Sequence, residues 1–312
     1  MVYAVLGETL AERAGVINLS LDGLILLSAM AAFAAARASH LLVAGMATAM
    51  AVGAVAGLVV AVSSLTLRQN QVATGFVLTL LCQHLAYVVG NPIAHLPGPQ
   101  VPHLAVPVLA RWPGAGPVLF DQDPLVYLSF LLIGGVWWYM FKTQPGLVLR
   151  GIGERPEAAY ARGVPVIRLR YLYAIAGGAL VGLGGAAFSL DVKPGWSRPY
   201  GVEGTGWIAL AIVIFGNWHP IRGAAGAYLF LLLQTLANTL QGLMPSVPTQ
   251  VFPTLPFPLM ILTLLLVTVG NSPAVARLLD RLPAPFRRRA LHALRALETS
   301  PPAALGTPFE PE

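Results

Sequence analysis

Three polar residues at alternate positions, Asn18, Ser20 and Asp22, open an apolar run in the segment 15–23. Their amide, hydroxyl and carboxylate groups could hydrogen-bond a small polar solute. A carboxylate at the head of an apolar segment is costly and is usually functional or paired. Asp22 therefore has two interpretations: it lines a solute path, or it caps the following helix or pairs with Arg13. The structural role is favoured for Asp22, whereas Asn18 and Ser20 have the better claim to a polar cavity wall.

Polar and aromatic residues also mark the ends of two other apolar segments, one beginning near residue 70 and a short one over 206–216. An indole at the start of the short segment could stack on a base or a sugar ring, although aromatic belts at the membrane interface explain most such residues. The candidate solute-path residues are Asn18, Ser20, Asp22, Asn70, Gln71, Thr74, Trp207 and Asn217.

The sequence offers no set of residues for catalysis or metal binding. It has no evident paired carboxylates, no Ser/His/Asp set and no His/Cys cluster at metal-ligand spacing. The single cysteine, Cys82, cannot form an intrachain disulfide. A Gly-x-x-x-x-Gly-Lys-Ser/Thr motif is absent, so the chain has no P-loop for ATP. We expect no metal, no cofactor and no enzymatic activity of its own.

The composition is that of a membrane protein: 56% of the residues are hydrophobic, 10% are charged and the mean hydropathy is +0.70. A helix needs about 20 apolar residues to cross a bilayer. The sequence predicts an all-α polytopic helical bundle over residues 1–273 with about eight spans, one of them too short. Residues 1–14 are too short for a complete span. Either they lie in the membrane interface, or the native protein has a first span that this start codon omits. The apolar windows are about 15–36, 41–67, 71–90, 125–141, 171–190, 206–216, 223–243 and 255–270.

Charge placement predicts how the bundle is oriented, because Lys and Arg near span ends stay on the cytoplasmic side. The loop 142–170 holds six basic and two acidic residues. If this loop is cytoplasmic, alternation puts Arg13, Arg68 and Arg222 on the same side. The preference of basic residues for the cytoplasmic side then explains the net charge of +6, and a nucleic-acid partner is not required to explain it. Residues 274–312 are expected to be a cytoplasmic tail, with a basic amphipathic helix over 286–298 on the inner leaflet and a disordered Pro-rich end beyond Thr299.

Interrupted segments in both halves of the chain suggest two related halves. The polar-headed segment 15–23 lies in the first half, and the short Gly-bounded segment 204–216 lies in the second. Irregular backbone at membrane depth survives only where it is buried or lines a cavity, so such a pair favours re-entrant segments along a solute path. The alternative, that both are loops leading into ordinary helices, stays open. Small residues spaced Gly-x-x-x-Gly at Gly53/Gly57 and Gly178/Gly182 predict close helix packing.

A short helix is predicted inside the basic loop. Pro156 suits a first helical position, Glu157 follows where the helix dipole favours an acid, and Gly163 can end the helix in a left-handed conformation. A helix of about two turns is too short to be stable unless it docks on something. It therefore offers a contact for a partner, or else it lies on the membrane surface.

Several motifs in order along the chain resemble the permease subunits of bacterial ABC importers of the ribose, branched-chain amino acid and nucleoside group. The resemblance runs from about residue 5 to about residue 270 and is closest to the nucleoside branch. The sequence departs from the family pattern in three places. Position 22 is Asp where the family usually has Glu, position 155 is Arg where it usually has Asn or Asp, and the first span is incomplete. The segments that carry the resemblance are 6–8, 12–23, 70–71, 145–150, 153–159, 163–164 and 207–218.

The resemblance implies a transport subunit that moves a small polar solute inward by alternating access, with nucleosides or purines ahead of simple sugars. It implies a bacterial inner-membrane location and three kinds of partner: an ATPase subunit that binds ATP, a second permease that is a paralogue or an identical copy, and an extracytoplasmic solute-binding protein. The short helix would be the coupling helix that docks on the ATPase. Its expected contact residues are Glu154, Arg155, Pro156, Glu157, Ala158, Ala159, Arg162 and Gly163.

An ion-coupled secondary transporter is the alternative function. Such a transporter needs ionisable residues inside its spans, and beyond Asp22 the predicted spans hold almost none. An intramembrane enzyme is weaker still, since the sequence lacks catalytic sets.

Overall fold

A computed structural model describes residues 1–105, 120–243, 258 and 301–309. The regular secondary structure of this part of the chain is helical except for one two-residue antiparallel strand pair, β1 (Leu104–Ala105) and β2 (Asp121–Gln122). The helices are α1 (Val2–Arg13), α2 (Leu21–Ser39), α3 (Leu42–Ala61), α4 (Gln71–Gly90), α5 (Pro124–Lys142), α6 (Gln144–Glu154), α7 (Pro156–Ala161), α8 (Val166–Ala187), α9 (Thr205–Phe215) and α10 (Pro220–Leu243).

The helices confirm the membrane-spanning architecture. Six stretches in the described residues are long and apolar enough to cross a bilayer: α2, α3, α4, α5, α8 and α10. Helices α3 and α8 each continue into a π-helical turn, Val62–Thr66 and Phe188–Val192. Helix α9 has 11 residues and is the short apolar segment of the sequence prediction. Apart from residue 258, the predicted span at 255–270 lies outside the described residues, and so does the whole of the basic helix over 286–298.

Helix α8 is the centre of the bundle and packs most extensively on α3. The contact is made by the small residues that the sequence picked out. A Cβ atom at Gly53 would overlap the carbonyl oxygen of Gly178, and one at Gly182 would overlap the carbonyl oxygen of Ala49. Small residues let two helix backbones approach closely in a membrane, where packing rather than hydrophobicity holds helices together. The predicted packing faces are therefore confirmed.

Helix α1 is not an interfacial helix. Its residues Val2 to Glu12 are all buried, and it packs against α8, α9 and α10. The sequence alternative that put residues 1–14 in the membrane interface is therefore wrong. An interfacial helix needs a polar face towards the headgroups, whereas the two acidic residues of α1 face the interior of the bundle.

The end of the bundle that carries α6 and α7 is called the basic end below. Arg13 forms an ion pair with Glu154 at the end of α6, with 3.6 Å between Nη1 and Oε1. Arg68 lies beside Arg170 near the start of α8. Lys193 follows the other end of α8. In the loop after it, the guanidinium of Arg198 lies over the Tyr87 ring near the end of α4. The structure thus places Arg13 and Arg68 at the end that the charge pattern assigned to them.

Residues 301–309, in the Pro-rich end of the chain, have a defined position in the structure. Residues 301–309 pack on the basic end, where Pro302 and Ala304 are buried. The backbone nitrogen of Ala304 donates to the carbonyl of Gly153 at 2.9 Å, and that of Gly306 donates to the carbonyl of Gly15 at 3.1 Å. The expectation of disorder beyond Thr299 is therefore wrong for this segment. Pairing with the backbone of other elements overrides what its composition suggests.

Candidate functional site

Helices α2 and α9 both begin inside the bundle, and their first turns meet. The carboxylate of Asp22 accepts a hydrogen bond from the backbone nitrogen of Gly206 at 3.0 Å, and Gly204 also donates to it. A Cβ at position 206 would overlap the backbone of Asp22, so only glycine permits this approach. Gly23 contacts Thr79, which lies about 12 Å along α4 from its first residue. The starts of the full-length helix α2 and of the short helix α9 thus meet away from either end of the bundle.

The loop between α1 and α2 is held by side chains from three sides. The Gln71 amide oxygen accepts from the backbone nitrogen of Ile17 at 2.8 Å, and the Thr79 hydroxyl donates to the carbonyl of Leu19 at 2.8 Å. The amide oxygen of Asn18 accepts from both the backbone nitrogen and the hydroxyl of Ser20, at 3.1 and 2.5 Å. An irregular loop inside a bundle needs such partners, because water does not reach its backbone.

A pair of buried carboxyl groups on α1 underlies this loop. Glu8 and Glu12 are 1% and 4% exposed and hydrogen-bond to each other. The Glu8 carboxyl also accepts from the backbone nitrogen of Asn18 at 3.0 Å, and the Trp218 indole donates to Glu12. A hydrogen bond between two carboxyl groups requires a shared proton. The sequence predicted no paired carboxylates, whereas the structure brings together two that stand four residues apart on one helix.

Arg13 joins α1 to the turn between α9 and α10. Its guanidinium donates to the carbonyl of Asn217 and its Nε donates to the carbonyl of Trp218, both at 3.1 Å. Both acceptor residues have a positive φ, 53° and 50°. The alternative pairing of Asp22 with Arg13 is therefore not observed, since the carboxylate partner of Arg13 is Glu154. The Arg13 guanidinium thus holds the turn that follows α9.

A cavity of about 420 Å³ lies between α1, α2, α8, α9 and α10, on the far side of the α2–α9 junction from the basic end. This volume is within the usual range for small-molecule sites. Its wall is mostly apolar. Among the described lining residues the only polar side chains are those of Lys193, Thr205 and Gln234. The apolar part of the wall includes Ala4, Ile25, Phe188, Val192, Val202, Ala209 and Leu231.

The loop 193–204 covers one side of this cavity. The Lys193 ammonium donates to the carbonyl of Tyr200 at 2.5 Å, and the Tyr200 hydroxyl is within hydrogen-bond reach of the carbonyls of Lys193 and Gly195. Burial raises the pKa of Tyr200, so the phenol keeps its proton to donate. The Glu203 carboxylate accepts from the Tyr87 hydroxyl of α4. The loop is therefore closed on itself and tied to the bundle.

At the basic end, α7 confirms that the predicted short helix exists, over Pro156–Ala161. Pro156 is buried and Ala159 packs partly on the core. The rest of the predicted contact residues lie on the surface: Glu154, Arg155, Glu157, Ala158, Arg162 and Gly163. Gly163 has the expected positive φ, 82°. One side of the helix is thus held by the bundle and the other is open.

The candidate path residues do not gather around the cavity. Asn70 caps α4, with its side chain accepting from the Ala73 backbone nitrogen at 3.1 Å, and Thr74 is half-buried on the same helix. Trp207 is 36% exposed, and its ring centroid lies 6.3 Å from that of Phe76. Asn18, Ser20, Asp22 and Gln71 belong to the hydrogen-bond network, and Asn217 to the turn after α9. None of the eight predicted side chains lines the cavity of the described structure.

Comparison with known proteins decides the family. Residues 1–268 match the sequence model of the family described as "Branched-chain amino acid transport system / permease component". The chain belongs to this permease family. The match includes every element that meets at the α2–α9 junction, so the junction and the cavity are features of a transport permease.

Similar permeases transport different solutes according to their names. The permease is 35% identical over 247 residues to a putative glucose ABC transporter permease of Haloferax volcanii, covering 78% of this chain and 75% of the relative. It is 29% identical over 253 residues to a nucleoside ABC transporter permease of Lactococcus lactis, covering 76% and 78%. It is 30% identical over 264 residues to a guanosine ABC transporter permease of Bacillus subtilis, covering 78% and 80%. No solved structure matches this permease.

Sequence reasoning missed the residues that shape the cavity of this permease. Lys193, Thr205 and Gln234 carry no motif, and they come together only when α8, α9 and α10 pack. The Glu8/Glu12 pair did have a signal: like charges four residues apart on a helix repel each other, and both stand in an apolar run. Such a pair points to burial with a shared proton or with other partners.

Proposed function

We propose that this permease is the transmembrane subunit of an ATP-driven importer that carries nucleosides inward, with simple sugars as the next solute class. The observation that carries the proposal is the cavity beside the junction at which the first turns of α2 and α9 meet. Solute sites in transporters commonly form where discontinuous helices begin near the middle of the membrane. The relatives named for glucose, nucleoside and guanosine transport support the same two solute classes.

The cavity wall favours nucleosides over sugars. A hexose carries hydroxyl groups around its whole ring, and each of them loses a hydrogen bond with water when it enters an apolar site. A nucleobase has two apolar faces and keeps its polar groups at the edge. One amide, one hydroxyl and one ammonium in an apolar wall, from Gln234, Thr205 and Lys193, fit the second pattern. We therefore infer a purine or pyrimidine nucleoside as the solute.

The predicted path residues act in this proposal as the frame of the path. Asn18, Ser20, Asp22 and Gln71 hold the loop before α2 and the starts of α2 and α9, two of the helices that surround the cavity. Asn70, Thr74, Trp207 and Asn217 lie at the start of α4, on α9 and in the turn after α9, and they do not line the cavity. Their substitution would change the shape of the path more than the chemistry of its wall.

Energy for transport comes, in this proposal, from a separate ATPase subunit that docks on α7. The exposed side of α7 supports this role: Glu157, Ala158 and Tyr160 face outward while Pro156 is anchored. A helix of six residues is not stable in isolation and depends on packing against other elements. A second permease, identical or paralogous, and an extracytoplasmic solute-binding protein complete the assembly, and the bacterial inner membrane is its proposed location.

One observation favours the alternative of an ion-coupled transporter, namely the buried Glu8/Glu12 pair, because intramembrane carboxyl groups often carry protons. The pair is, however, bonded on several sides, to Asn18, Trp218 and each other. A proton carrier needs a group that can be released from its partners during transport. The pair fits a fixed structural role better.

The test is uptake of tritiated guanosine and, separately, labelled glucose by cells that express this permease together with candidate ATPase and solute-binding subunits. We expect guanosine uptake that stops when ATP is depleted and persists when a protonophore removes the proton gradient. Uptake that follows the proton gradient would refute the ATP-driven mechanism. Uptake of glucose without guanosine would refute the choice of solute.

The docking of the ATPase is tested with the double variant Glu157→Arg, Ala158→Asp. Both side chains are exposed, so the variant should fold and insert normally. We expect it to lose the ATPase subunit on co-purification, because the new charges disturb the outward side of α7. The matched control is Gln69→Arg with Val72→Asp, a double change at exposed positions near the start of α4. Retention of the ATPase by the α7 variant would remove α7 from the contact.

A further inference from the structure

Residues 301–309, called the tail segment below, make contacts with four elements at the basic end: α6, α7, α8 and the loop between α1 and α2. The segment lies against the end of α6, the loop between α1 and α2, and the first turns of α8. Leu305 and Phe309 pack partly on the main hydrophobic core. Although distant in sequence from these elements, the segment forms an integral part of this surface.

Its first contact is with the helix that leads into α7. The backbone nitrogen of Ala304 donates to the carbonyl of Gly153 at 2.9 Å, and that of Ala303 donates to the Glu154 carboxylate at 3.3 Å. The Phe309 ring packs edge-on against the Tyr160 ring of α7, with centroids 5.7 Å apart. The tail segment therefore touches both the helix that precedes α7 and α7 itself.

Its second contact is with the loop that leads into α2, one of the helices that surround the cavity. The backbone nitrogen of Gly306 donates to the carbonyl of Gly15 at 3.1 Å. Gly306 has a φ of +72°, and a Cβ there would lie 2.8 Å from Cδ1 of Ile17. A side chain at position 306 would be both strained and crowded. From Gly15 the loop runs seven residues to Asp22, whose carboxylate holds the start of α9.

A third contact fixes the tail segment to α8. The guanidinium of Arg170 is fully buried, and its Nη1 donates to the carbonyl of Thr307 at 3.1 Å. Its Nε and Nη2 have no hydrogen-bond partner within the described residues. A buried cation with so few partners depends strongly on the one carbonyl it has. The anchor point, Thr307, therefore lies between Gly306, which contacts the loop, and Phe309, which contacts α7.

We propose that the tail segment is a second mechanical link between α7 and the solute cavity, and that Phe309 is the positioning residue through which it follows α7. The proposal rests on the proposed function, in which α7 receives the motion of an ATPase. The direct link is the covalent one, from α7 through α8. The tail segment adds a path from Tyr160 through Phe309 and Gly306 to Gly15, and from there to Asp22.

The test compares Phe309→Ala with the unchanged permease in the full assembly, with its ATPase and binding protein, reconstituted in liposomes. Aromatic pairs contribute enough to change an equilibrium about three- to tenfold. We expect guanosine transported per ATP hydrolysed to fall by that factor, with the ATPase still bound and the KM for guanosine unchanged. Phe309→Tyr keeps the ring and should restore the ratio. Phe130→Ala, which removes one ring of the Phe130/Tyr228 pair away from the basic end, is the matched control.

Amide hydrogen exchange gives a readout that does not depend on solute. In the unchanged permease, binding of the nucleotide-loaded ATPase should slow exchange at Ile17 and Asn18, and in Phe309→Ala this response should be lost. A chain that ends at Thr299 should show the same loss. If the tail segment only stabilises the fold, Phe309→Ala will lower the stability of the permease and leave both the exchange response and the transport ratio unchanged. This result would overturn the proposal. An unchanged permease that binds no ATPase would instead refute the proposed function.

Discussion

Replacing Asp22 tests whether the meeting of α2 and α9 depends on one carboxylate. Asp22 is 7% exposed and accepts hydrogen bonds from the backbone nitrogens of Gly206, at 3.0 Å, and Gly204. In Asp22→Ala these two N–H groups keep their buried position and lose their acceptor. An unsatisfied buried donor costs about 1–3 kcal/mol. Two of them should therefore lower the free energy of unfolding by about 3 kcal/mol.

Asp22→Asn separates the charge from the geometry. The amide oxygen can still accept, but a hydrogen bond to a neutral acceptor has roughly half the strength of one to a carboxylate. We expect a loss of about 1–2 kcal/mol, between the unchanged permease and Asp22→Ala. The matched control is Asn70→Ala, which removes a side-chain acceptor from the exposed start of α4 and should cost about 1 kcal/mol.

The assay is equilibrium unfolding of the purified permease in mixed detergent micelles, followed by tryptophan fluorescence. The expected order of stability is unchanged permease, then Asp22→Asn, then Asp22→Ala. If Asp22→Ala were as stable as Asn70→Ala, the Asp22 carboxylate would have no special role at the junction. If Asp22→Asn were as unstable as Asp22→Ala, the negative charge rather than the hydrogen-bond geometry would hold the two helix starts.

Three further substitutions follow from the packing and the cavity. Gly53→Leu should prevent folding, because its side chain would collide with the backbone of Gly178, and expression of detergent-stable protein measures this. Trp218→Phe removes a hydrogen bond to a buried carboxyl group and should lower the free energy of unfolding by about 2 kcal/mol, measured in the same micelles. Gln234→Leu removes an amide from the cavity wall and should raise the KM for guanosine about fivefold without loss of stability. An unchanged KM in Gln234→Leu, with Gln83→Leu as the control, would exclude this amide from solute binding.

Much of the fold could be predicted because a bilayer restricts the choices. Every backbone polar group inside the membrane must be satisfied within the protein, so a long apolar segment can only be a helix. The glycines of α3 and α8 were recognisable for a related reason, since close packing of helices in lipid requires small residues at fixed spacing. The short helix α7 followed from a proline and a glycine with clear positional preferences.

The tail segment could not be predicted in this way. Its sequence, rich in proline and alanine, has no hydrophobic periodicity. Its position depends on backbone carbonyls at Gly15 and Gly153 and on one buried cation, Arg170. Backbone acceptors leave no trace in a sequence, because every residue has one.

Asp22 shows how a buried partner could be sought from sequence in another membrane protein. A helix that begins inside a bundle has N–H groups in its first turn that neither the helix nor water can satisfy. A short apolar segment bounded by glycines, such as 204–216, therefore implies an acceptor elsewhere in the chain. Carboxylates at the heads of other apolar segments are the natural candidates, because they also complement the positive end of the helix dipole. Asp22 does cap a helix, but the capped helix is α9, whose Gly206 is 184 residues away. It does not cap α2, in whose first turn Asp22 lies.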